Sequence, residues 1–523
     1  MLSPRGAFCK GVRMKIERRK NAKRNIVYGF SLRMFQTLVP FALRTVLINT
    51  LGMQFVGLDT LFVSILHVLN LVELGVGNAM VYCMYEPIAY DNTTKLNAIL
   101  NLYKKYYRII GLVVLLLGIA IIPFLPDLIK DEIPEGINLY VLYLINLIAT
   151  VLSYWMFAYK TSVLLAHQRT DVYSRIQFFS FAVRYAIQLA SLILFRSFYA
   201  YMMAVLVSQA LTNCITAIVT QKRYPQYIPQ GRLEKSDVSN INSHIKDLFT
   251  AKLGGTVTNS ADTVVISAFL GLTTLAVYNN YYYVLTALFG FLTIIFHACL
   301  AGIGNSLVVE SSEKNYRDFE KFSLMLTWII GFCTACLYCL LQPFMKIWVH
   351  KENMLDNSFV PLFCVYFYVY ELALIWATYK DAGGIWHKDR FRPLCVTIVN
   401  LGLNVLTVRY WGLYGVLLST IVSYTFVGMP WMLQNVFSTL FKRPVYGYLF
   451  HVAKGMIATF LGCFASGLIC TKIPIGGLGG LVLRLAIPTV VANMVFLVFF
   501  WRSKEFSEIV HALRKKLGIA GKK

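Results

Sequence analysis

Fourteen apolar segments of about 20 residues recur along this 523-residue chain and constrain its fold more than any other feature. A helix of about 20 residues crosses the roughly 30 Å hydrocarbon core of a membrane. The alternating pattern of membrane strands is absent, so the segments predict helices and not a barrel. The predicted spans are 26–50, 58–83, 106–125, 138–159, 175–194, 199–220, 248–270, 277–307, 322–342, 358–379, 394–408, 413–435, 447–470 and 478–501.

The composition agrees with an all-α, polytopic membrane protein. Hydrophobic residues make up 57% and charged residues 14%, with a mean hydropathy of +0.61. Soluble proteins carry about 25% charged residues. The net charge of +24 would suggest a nucleic-acid partner in a soluble protein, but here the charges follow the membrane topology, so no nucleic-acid partner is expected.

The distribution of basic residues predicts the orientation of the chain. With the N-terminus in the cytoplasm, only six of the 49 lysines and arginines fall in outer loops, as the positive-inside rule requires. An even number of spans returns the C-terminus to the cytoplasm. The first 24 residues carry nine Lys/Arg and lead into an uncleaved first helix, with translation starting at Met1 or Met14.

One long polar stretch, Gln221 to Lys246, interrupts the apolar pattern and predicts a hinge linker. It holds two prolines, one glycine and five Lys/Arg without a periodic apolar face. The predicted organisation is a basic cytoplasmic tail (1–25), a six-helix bundle (26–220), a cytoplasmic linker (221–247), a second six-helix bundle (248–435), two additional helices (436–501) and a second basic cytoplasmic tail (502–523).

The two predicted bundles echo each other in sequence. Arg44 and Asp262 each precede a Thr-Val pair at an offset of 218, and three more pairs follow in the same order at an offset of 220. The GVGN motif that ends at Asn78 corresponds to the GIGN motif that ends at Asn305. Because each half has six spans, both copies enter the membrane from the same side, and the repeat axis follows the membrane normal.

Several stretches carry a resemblance to a known family. They are VGLDTLFVSILHVLNLVELGVGNAMVYCMYEPIA, NLYKKYYRIIGL, LLAHQRTDVYSRI, YNNYYYVL and PFMKIWVHKE. Together they resemble the polysaccharide-transporter branch, the Wzx-type flippases, of the multidrug/oligosaccharidyl-lipid/polysaccharide flippase superfamily. The resemblance covers nearly the whole chain and rests on the overall pattern.

The resemblance implies a V-shaped pair of bundles in the bacterial cytoplasmic membrane. Such a protein would move a polyprenyl-diphosphate-linked oligosaccharide from the inner to the outer leaflet by alternating access through a central cavity. Expected partners are this lipid-linked substrate, membrane lipids and polysaccharide assembly proteins, for capsule, exopolysaccharide or a wall polymer.

Ionisable residues inside predicted spans are the candidate functional residues, because each costs about 2.5–3.5 kcal/mol at the bilayer centre. Arg33 and Arg44 lie eleven residues apart, three helical turns, and so share one face. Arginine forks match phosphate oxygens, and a basic cavity would suit a diphosphate. The predicted substrate-binding residues are Arg33, Arg44, Arg184, Lys252, Gln188 and Asn259. Snorkelling of Arg33 and Lys252 to the interface is the alternative.

Three acidic residues in the spans, Glu73, Asp262 and Glu371, are predicted either to couple transport to Na⁺ or H⁺ or to pair with the arginines. No cofactor and no metal site is predicted. The cysteines at 333, 336 and 339 are expected to be packing residues, because no His, Asp or Glu joins them.

Loop lengths separate three classes of function. Every outer loop is shorter than about 20 residues, whereas membrane glycosyltransferases and polymerases use long outer loops or domains, so an enzyme is not expected. A cation-coupled multidrug exporter would favour an acidic cavity, and it remains the alternative. A non-transporting scaffold is the second alternative.

Overall fold

The computed structural model describes residues 18–516 except 74, 131, 132, 135 and 350. Within these ranges the structure describes the backbone but not the side chains of residues 18–23, 26, 247, 248, 250–256, 258, 259, 297, 298, 301, 512, 513, 515 and 516. Within the described ranges the regular secondary structure is helical throughout, which confirms the predicted fold class. The start site and most of the N-terminal tail lie outside the described residues.

Eighteen α-helices are found in the described part of the chain. They are α1 (Arg18–Thr50), α2 (Met53–Leu69), α3 (Val76–Ala89), α4 (Thr93–Ile121), α5 (Leu139–Trp155), α6 (Tyr159–Ala166), α7 (Thr170–Ala190), α8 (Phe198–Arg223), α9 (Lys235–Leu270), α10 (Leu272–Val309), α11 (Ser312–Trp348), α12 (Phe359–Ala382), α13 (Arg392–Trp411), α14 (Leu413–Ser423), α15 (Met429–Val436), α16 (Tyr446–Cys470), α17 (Gly477–Phe500) and α18 (Lys504–Lys516).

All fourteen predicted spans fall on helices, but the count of fourteen membrane crossings is not confirmed. In the described part of the chain, eleven helical segments are long and apolar enough to cross a membrane. The bent pair α5 and α6 makes twelve. The predicted span 26–50 lies in α1, which is not among these segments. The predicted span 248–270 lies in α9, where most side chains before Ser260 lie outside the description, and its described part contains the shorter apolar stretch Ser260–Leu270.

Two of the predicted continuous spans are broken by local backbone geometry. The span 58–83 is divided into α2 and α3 by a 3₁₀ turn, Asn70–Glu73, and by Gly75 in the left-handed conformation with φ 90°. The span 138–159 bends by 55° between α5 and α6, next to Phe157 with a φ of 56°. Breaks of this kind place backbone polar groups at membrane depth, where they must be buried in protein or line a cavity.

The chain forms two compact units. Unit 1 comprises Met1–Phe55, Phe62–Pro126 and Ile133–Lys252. In unit 1, α7 packs between α1 and α8, α5 packs between α8 and α4, and α3 packs on α4 and α6.

Unit 2 comprises Val56–Leu61, Asp127–Glu132 and Leu253–Lys523. In unit 2, α12 packs against α10, α11, α14 and α15, α13 packs on α14, and α11 also packs against α16 and α17. An aromatic cluster ties these helices together: Phe319 lies with its ring centroid 5.7 Å from Phe437 and 4.9 Å from Tyr448.

The internal repeat is visible in local backbone geometry. Gly52 precedes α2 with φ 103° and ψ 175°, and Gly271 precedes α10 with φ 93° and ψ 170°. The two glycines are 219 residues apart (271 − 52), which lies between the offsets of 218 and 220 of the sequence pairs before and after them. Side chains avoid this region of backbone space, so the repeat needs glycine in both halves.

The polar stretch 221–246 is ordered and attached to unit 1. The Asn97 side chain on α4 donates to the Gln226 carbonyl (3.3 Å) and accepts from the Ile228 amide (3.0 Å). Farther along α4, Asn101 donates to the Gly231 carbonyl at 2.8 Å. From Lys235 the stretch is helical, as the start of α9. The predicted linker therefore docks on α4 over most of its length.

The chain segment predicted as a C-terminal tail contains α18. Phe506 of this helix stacks on Trp328 of α11, with ring centroids 5.7 Å apart. Lys321 of α11 pairs with Glu508 at 3.1 Å. The helix is thus docked on unit 2 through its apolar face and one ion pair.

Candidate functional site

The packed pair of α1 and α7 in unit 1 carries four of the six predicted substrate-binding residues. Phe35 of α1 lies with its ring centroid 4.3 Å from Phe178 of α7. Arg33 is exposed, whereas Arg44 and Arg184 are half-buried. Arg33 and Arg44 lie on α1, and Arg184 and Gln188 lie on α7, so these four residues belong to two helices that pack against each other.

Arg184 and Gln188, one turn apart on α7, have different surroundings. The Nε atom of Arg184 is shielded from solvent and has no hydrogen-bond partner among the described residues. A buried guanidinium donor without an acceptor is costly, and an anionic oxygen is the partner that such a donor binds most strongly. Gln188 is almost fully buried, and its Nε2 lies 3.5 Å from the Tyr201 carbonyl of α8. Gln188 thus lies in the interface between α7 and α8.

Lys252 and Asn259 belong to α9, but their side chains lie outside the described residues. The prediction that they contact substrate is therefore not tested by the structure.

Asp262 lies at the centre of a buried polar network in unit 2. One carboxylate oxygen of Asp262 accepts from Asn404 Nδ2 at 2.6 Å, and the other accepts from Thr420 Oγ1 at 3.1 Å. Asn400 Nδ2 donates to Thr420 Oγ1 at 2.9 Å. All four side chains are less than a tenth exposed. Three helices, α9, α13 and α14, supply these groups.

The Asp262 network holds an oxygen that no described donor satisfies. Asn404 Oδ1 is buried and lacks a hydrogen-bond partner within the described ranges. In that part of the chain, Asp262 also forms no ion pair with Lys or Arg. A buried carboxylate beside a buried amide oxygen is an oxygen-rich site that a small cation or a proton would stabilise.

Glu371 on α12 is fully buried, and both of its carboxylate oxygens lack a hydrogen-bond partner among the residues that the structure describes. Glu73 lies in the 3₁₀ turn after α2 and accepts from the Tyr107 hydroxyl at 2.9 Å and from the Gly77 amide at 3.3 Å. The described contacts of Asp262 are thus with neutral donors.

Sequence analysis missed two buried aspartates near the starts of α7 and α13. Asp171 accepts from Arg169 at 2.8 Å and from Arg175 at 2.9 Å. Asp389 accepts from Arg392 at 2.8 Å, with Lys380 Nζ at 3.4 Å. The two aspartates are 218 residues apart (389 − 171), within two residues of the offset of 220 that three sequence pairs share. This correspondence between the two halves is a sequence signal for both aspartates, although each lies in a charged segment typical of a cytoplasmic loop.

An apolar groove of about 520 Å³ lies between α10, α11 and α17 of unit 2. Its walls include Cys333 and Cys336, so these thiols line an apolar surface as packing residues do. Val482 of α17 lies in this groove and is 69% exposed, and the same helix exposes Leu478, Val490 and Val498. The groove therefore opens beside an apolar surface of the size and type that contacts lipid.

No protein-family model matches the chain, and no curated protein matches it in sequence. Solved structures do match in fold. The lipid II flippase MurJ in an inward closed conformation has a TM-score of 0.69 at 14% identity, covering 91% of this chain and 99% of MurJ. An inward-facing multidrug resistance MATE family transporter of the MOP superfamily has a TM-score of 0.62 at 14% identity, covering 80% of this chain and 99% of the transporter.

A variant of the Vibrio cholerae MATE transporter VcmN has a TM-score of 0.53 at 13% identity, covering 81% of this chain and 99% of VcmN. At these identities the likeness is one of fold. The chain therefore has the polytopic, all-helical architecture of MurJ and the MATE transporters.

Proposed function

We propose that this protein is a flippase that moves a lipid-diphosphate-linked oligosaccharide from the inner to the outer leaflet of the bacterial cytoplasmic membrane, for surface polysaccharide synthesis. The observation that carries the proposal is the pairing, in one chain, of a buried arginine donor without a described acceptor at Arg184 with an open apolar groove of about 520 Å³. A lipid-linked diphosphate needs both kinds of surface. The fold shared with a lipid II flippase supports the same class of substrate.

The arginines Arg33, Arg44 and Arg184 contact the diphosphate in this proposal. Arginine presents a planar fork of donors that pairs with two phosphate oxygens at once, and its charge is retained in a partly dehydrated site. The oligosaccharide is polar and travels with the diphosphate. The polyprenyl chain stays in the bilayer, where it can contact the exposed apolar surface of α10, α11 and α17 without burying polar groups.

The Asp262 network is the proposed coupling site for Na⁺ or H⁺. A cation bound there would satisfy both the carboxylate and Asn404 Oδ1, and so would change the packing of α9 against α13 and α14. A bound cation shifts the equilibrium between two conformations of the protein only by the difference between its affinities for them. Alternating access then follows if the cation and the lipid substrate bind more tightly to different conformations. In this proposal both termini are cytoplasmic, membrane lipids surround the helices and polysaccharide assembly proteins receive the substrate.

The proposal is tested by transport in vesicles reconstituted with the purified full chain. A fluorescent polyprenyl-diphosphate oligosaccharide is incorporated into both leaflets of the vesicles. A reagent added outside quenches or cleaves the molecules in the outer leaflet, and the fluorescence of the protected inner-leaflet molecules is followed in time. We expect the protein to deplete that pool, faster under a Na⁺ or proton gradient. Protection unchanged from empty vesicles, with correctly folded protein, would contradict a flippase and favour a scaffold.

A cation-coupled multidrug exporter is the second candidate function. The fully buried Glu371, with no described partner for either oxygen, is an acidic site that could pair with a cationic drug. MATE transporters share the fold. The accumulation of cationic dyes in cells that express the protein distinguishes the two functions. A multidrug exporter lowers dye accumulation, whereas a flippase leaves it unchanged and is required for glycan export.

A further inference from the structure

Three ligand-type side chains from three helices converge at one end of unit 2. They are Glu320 on α11, His451 on α16 and Glu505 on α18. His451 Nε2 lies 3.5 Å from a Glu505 oxygen and 4.0 Å from a Glu320 oxygen. One donor atom from each residue lies within 4.8 Å of the others. The three residues are 131 (451 − 320) and 54 (505 − 451) positions apart, so no metal-binding motif is visible in the sequence.

The imidazole of His451 is the unusual member of this cluster. Both of its ring nitrogens are shielded from solvent and neither has a hydrogen-bond partner among the described residues. Burying polar nitrogens without partners costs free energy, so such a group calls for a ligand. A cavity of about 50 Å³ is lined by all three side chains. That volume is large enough for an ion and a water molecule.

The separations suit a metal ion better than an ordinary ion pair. Zinc binds histidine nitrogen and carboxylate oxygen at about 2.0–2.2 Å, so neighbouring ligands of a tetrahedral site lie about 3.4 Å apart. The distances of 3.5 and 4.0 Å from His451 need only small side-chain movements to reach this geometry. An ordinary ion pair is seen nearby on the same helix, where Glu508 lies 3.1 Å from Lys321.

Two other groups flank the cluster. Lys454 lines the same cavity, but its Nζ lies over the Phe500 ring at 4.7 Å. The Tyr316 hydroxyl is hydrogen-bonded to the Glu320 carboxylate and so helps to orient it. Hydrogen bonds from neighbouring groups commonly orient the ligands of a metal site.

We propose that Glu320, His451 and Glu505 form a binding site for a divalent transition-metal ion, with water completing the coordination, and that the ion fastens α18 to α11 and α16. One imidazole and two carboxylates suit Zn²⁺ or Mn²⁺. His451 lies in α16 and Glu505 in α18, both outside the repeated bundles, whereas Glu320 lies on α11 of the second bundle. The role of the site is therefore to control the docking of α18, and it goes beyond the proposed transport function.

The test uses the purified full chain, stripped with a chelator and titrated with Zn²⁺. Because the chain holds 11 cysteines and eight histidines, the informative quantity is the difference between variants. We expect the wild type to bind one zinc ion more than His451→Gln and Glu505→Gln, each of which weakens that site at least about tenfold. The matched control is Glu508→Gln, which removes a carboxylate from the same helix outside the cluster and should keep the extra zinc.

Hydrogen exchange supplies a second readout that does not depend on counting zinc. Zinc should slow amide exchange in 504–511 of the wild type and of Glu508→Gln, and should leave exchange unchanged in the two cluster variants. Equal zinc stoichiometry in all four proteins, or exchange in α18 that does not respond to zinc, would overturn the proposal.

Discussion

The side-chain nitrogen of Asn404 lies 2.6 Å from a carboxylate oxygen of Asp262, with both residues buried in unit 2. The two residues are 142 positions apart, and only the packing of α13 against α9 brings them together. A carboxylate buried at membrane depth is expensive unless it is paired or protonated. This pair therefore marks a position where a bound cation would change the packing of unit 2.

The first prediction concerns that network. Asp262→Asn keeps the shape of the side chain but removes its charge, so we expect substrate flipping to lose its dependence on a Na⁺ or proton gradient and to fall at least about tenfold, which corresponds to 1.4 kcal/mol. Initial rates in vesicles with and without each gradient measure this. The control is Asp318→Asn, because Asp318 is an exposed carboxylate paired with Lys321 at 2.9 Å. An Asp262→Asn variant with full gradient dependence would contradict the coupling role.

The second prediction concerns Arg44 and Arg184. Loss of one charge-assisted hydrogen bond to a diphosphate should cost about 1.5–3 kcal/mol, or about 10- to 150-fold in affinity. Arg44→Ala and Arg184→Ala should therefore stop glycan export in cells while the protein still reaches the membrane, and the lysine variants should restore export only partly.

Arg223→Ala is the matched control, because Arg223 is an exposed arginine at the end of α8. Its export rate should equal that of the wild type. Normal export by both Arg44→Ala and Arg184→Ala would show that these arginines have structural roles only.

The third prediction concerns pH and the docked stretch 224–234. His167 Nδ1 lies 2.9 Å from the Val163 carbonyl, which can only accept, so Nε2 accepts from the Tyr227 hydroxyl at 3.2 Å. Burial lowers the pKa of His167 below its usual 6.5. The released histidine takes up a proton more readily, so docking is fully stable above about pH 6.5 and weakens as the pH falls towards the lowered pKa.

Hydrogen exchange in 224–234 should accordingly be faster at pH 5.5 than at pH 7.5, after correction for the intrinsic rates. His167→Gln should remove this pH dependence, and His244→Gln, which changes a histidine farther along the polar stretch 221–246, should retain it. The same response in His167→Gln and the wild type would assign the effect to other groups.

The fourth prediction concerns the backbone at Gly52. Its φ of 103° and ψ of 175° lie in a region that side chains avoid, and a Cβ there would meet no atom within 4 Å. Gly52→Ala should therefore destabilise the protein by about 1–3 kcal/mol through backbone strain alone. Gly402 also has open space but is helical, so Gly402→Ala should be neutral or stabilise by up to about 1 kcal/mol. Thermal unfolding in detergent compares the two variants with the wild type. A Gly52→Ala melting temperature equal to that of the wild type would contradict the backbone strain at Gly52.

The fifth prediction concerns topology. A cysteine introduced at Asn353 or Gly136 should react with an impermeant thiol reagent added outside cells, because both positions are predicted in outer loops. A cysteine at Ser236 or Lys388, predicted in the cytoplasm, should react only after the membrane is permeabilised. The reverse pattern would invert the orientation derived from the basic residues.

The sequence by itself determined the class of fold, because the length and hydropathy of a segment are local properties that decide whether a helix can cross a membrane. It also predicted the internal repeat, and Gly52 and Gly271, at corresponding positions, adopt the same backbone conformation. Helical periodicity also predicted that Arg33 and Arg44 share one face of α1, whereas the packing of α1 against α7, which carries Arg184, is a property of the tertiary structure.

The tertiary structure decided which polar groups meet. Asp262 finds Asn404 and Thr420, which lie 142 and 158 positions away, and periodicity along one helix carries no information about which helix packs beside it. The attachment of the polar stretch to Asn97 likewise depends on backbone carbonyls, which every sequence has, brought within reach by folding. Helices are thus specified locally, whereas the sites between them depend on distances that only packing sets.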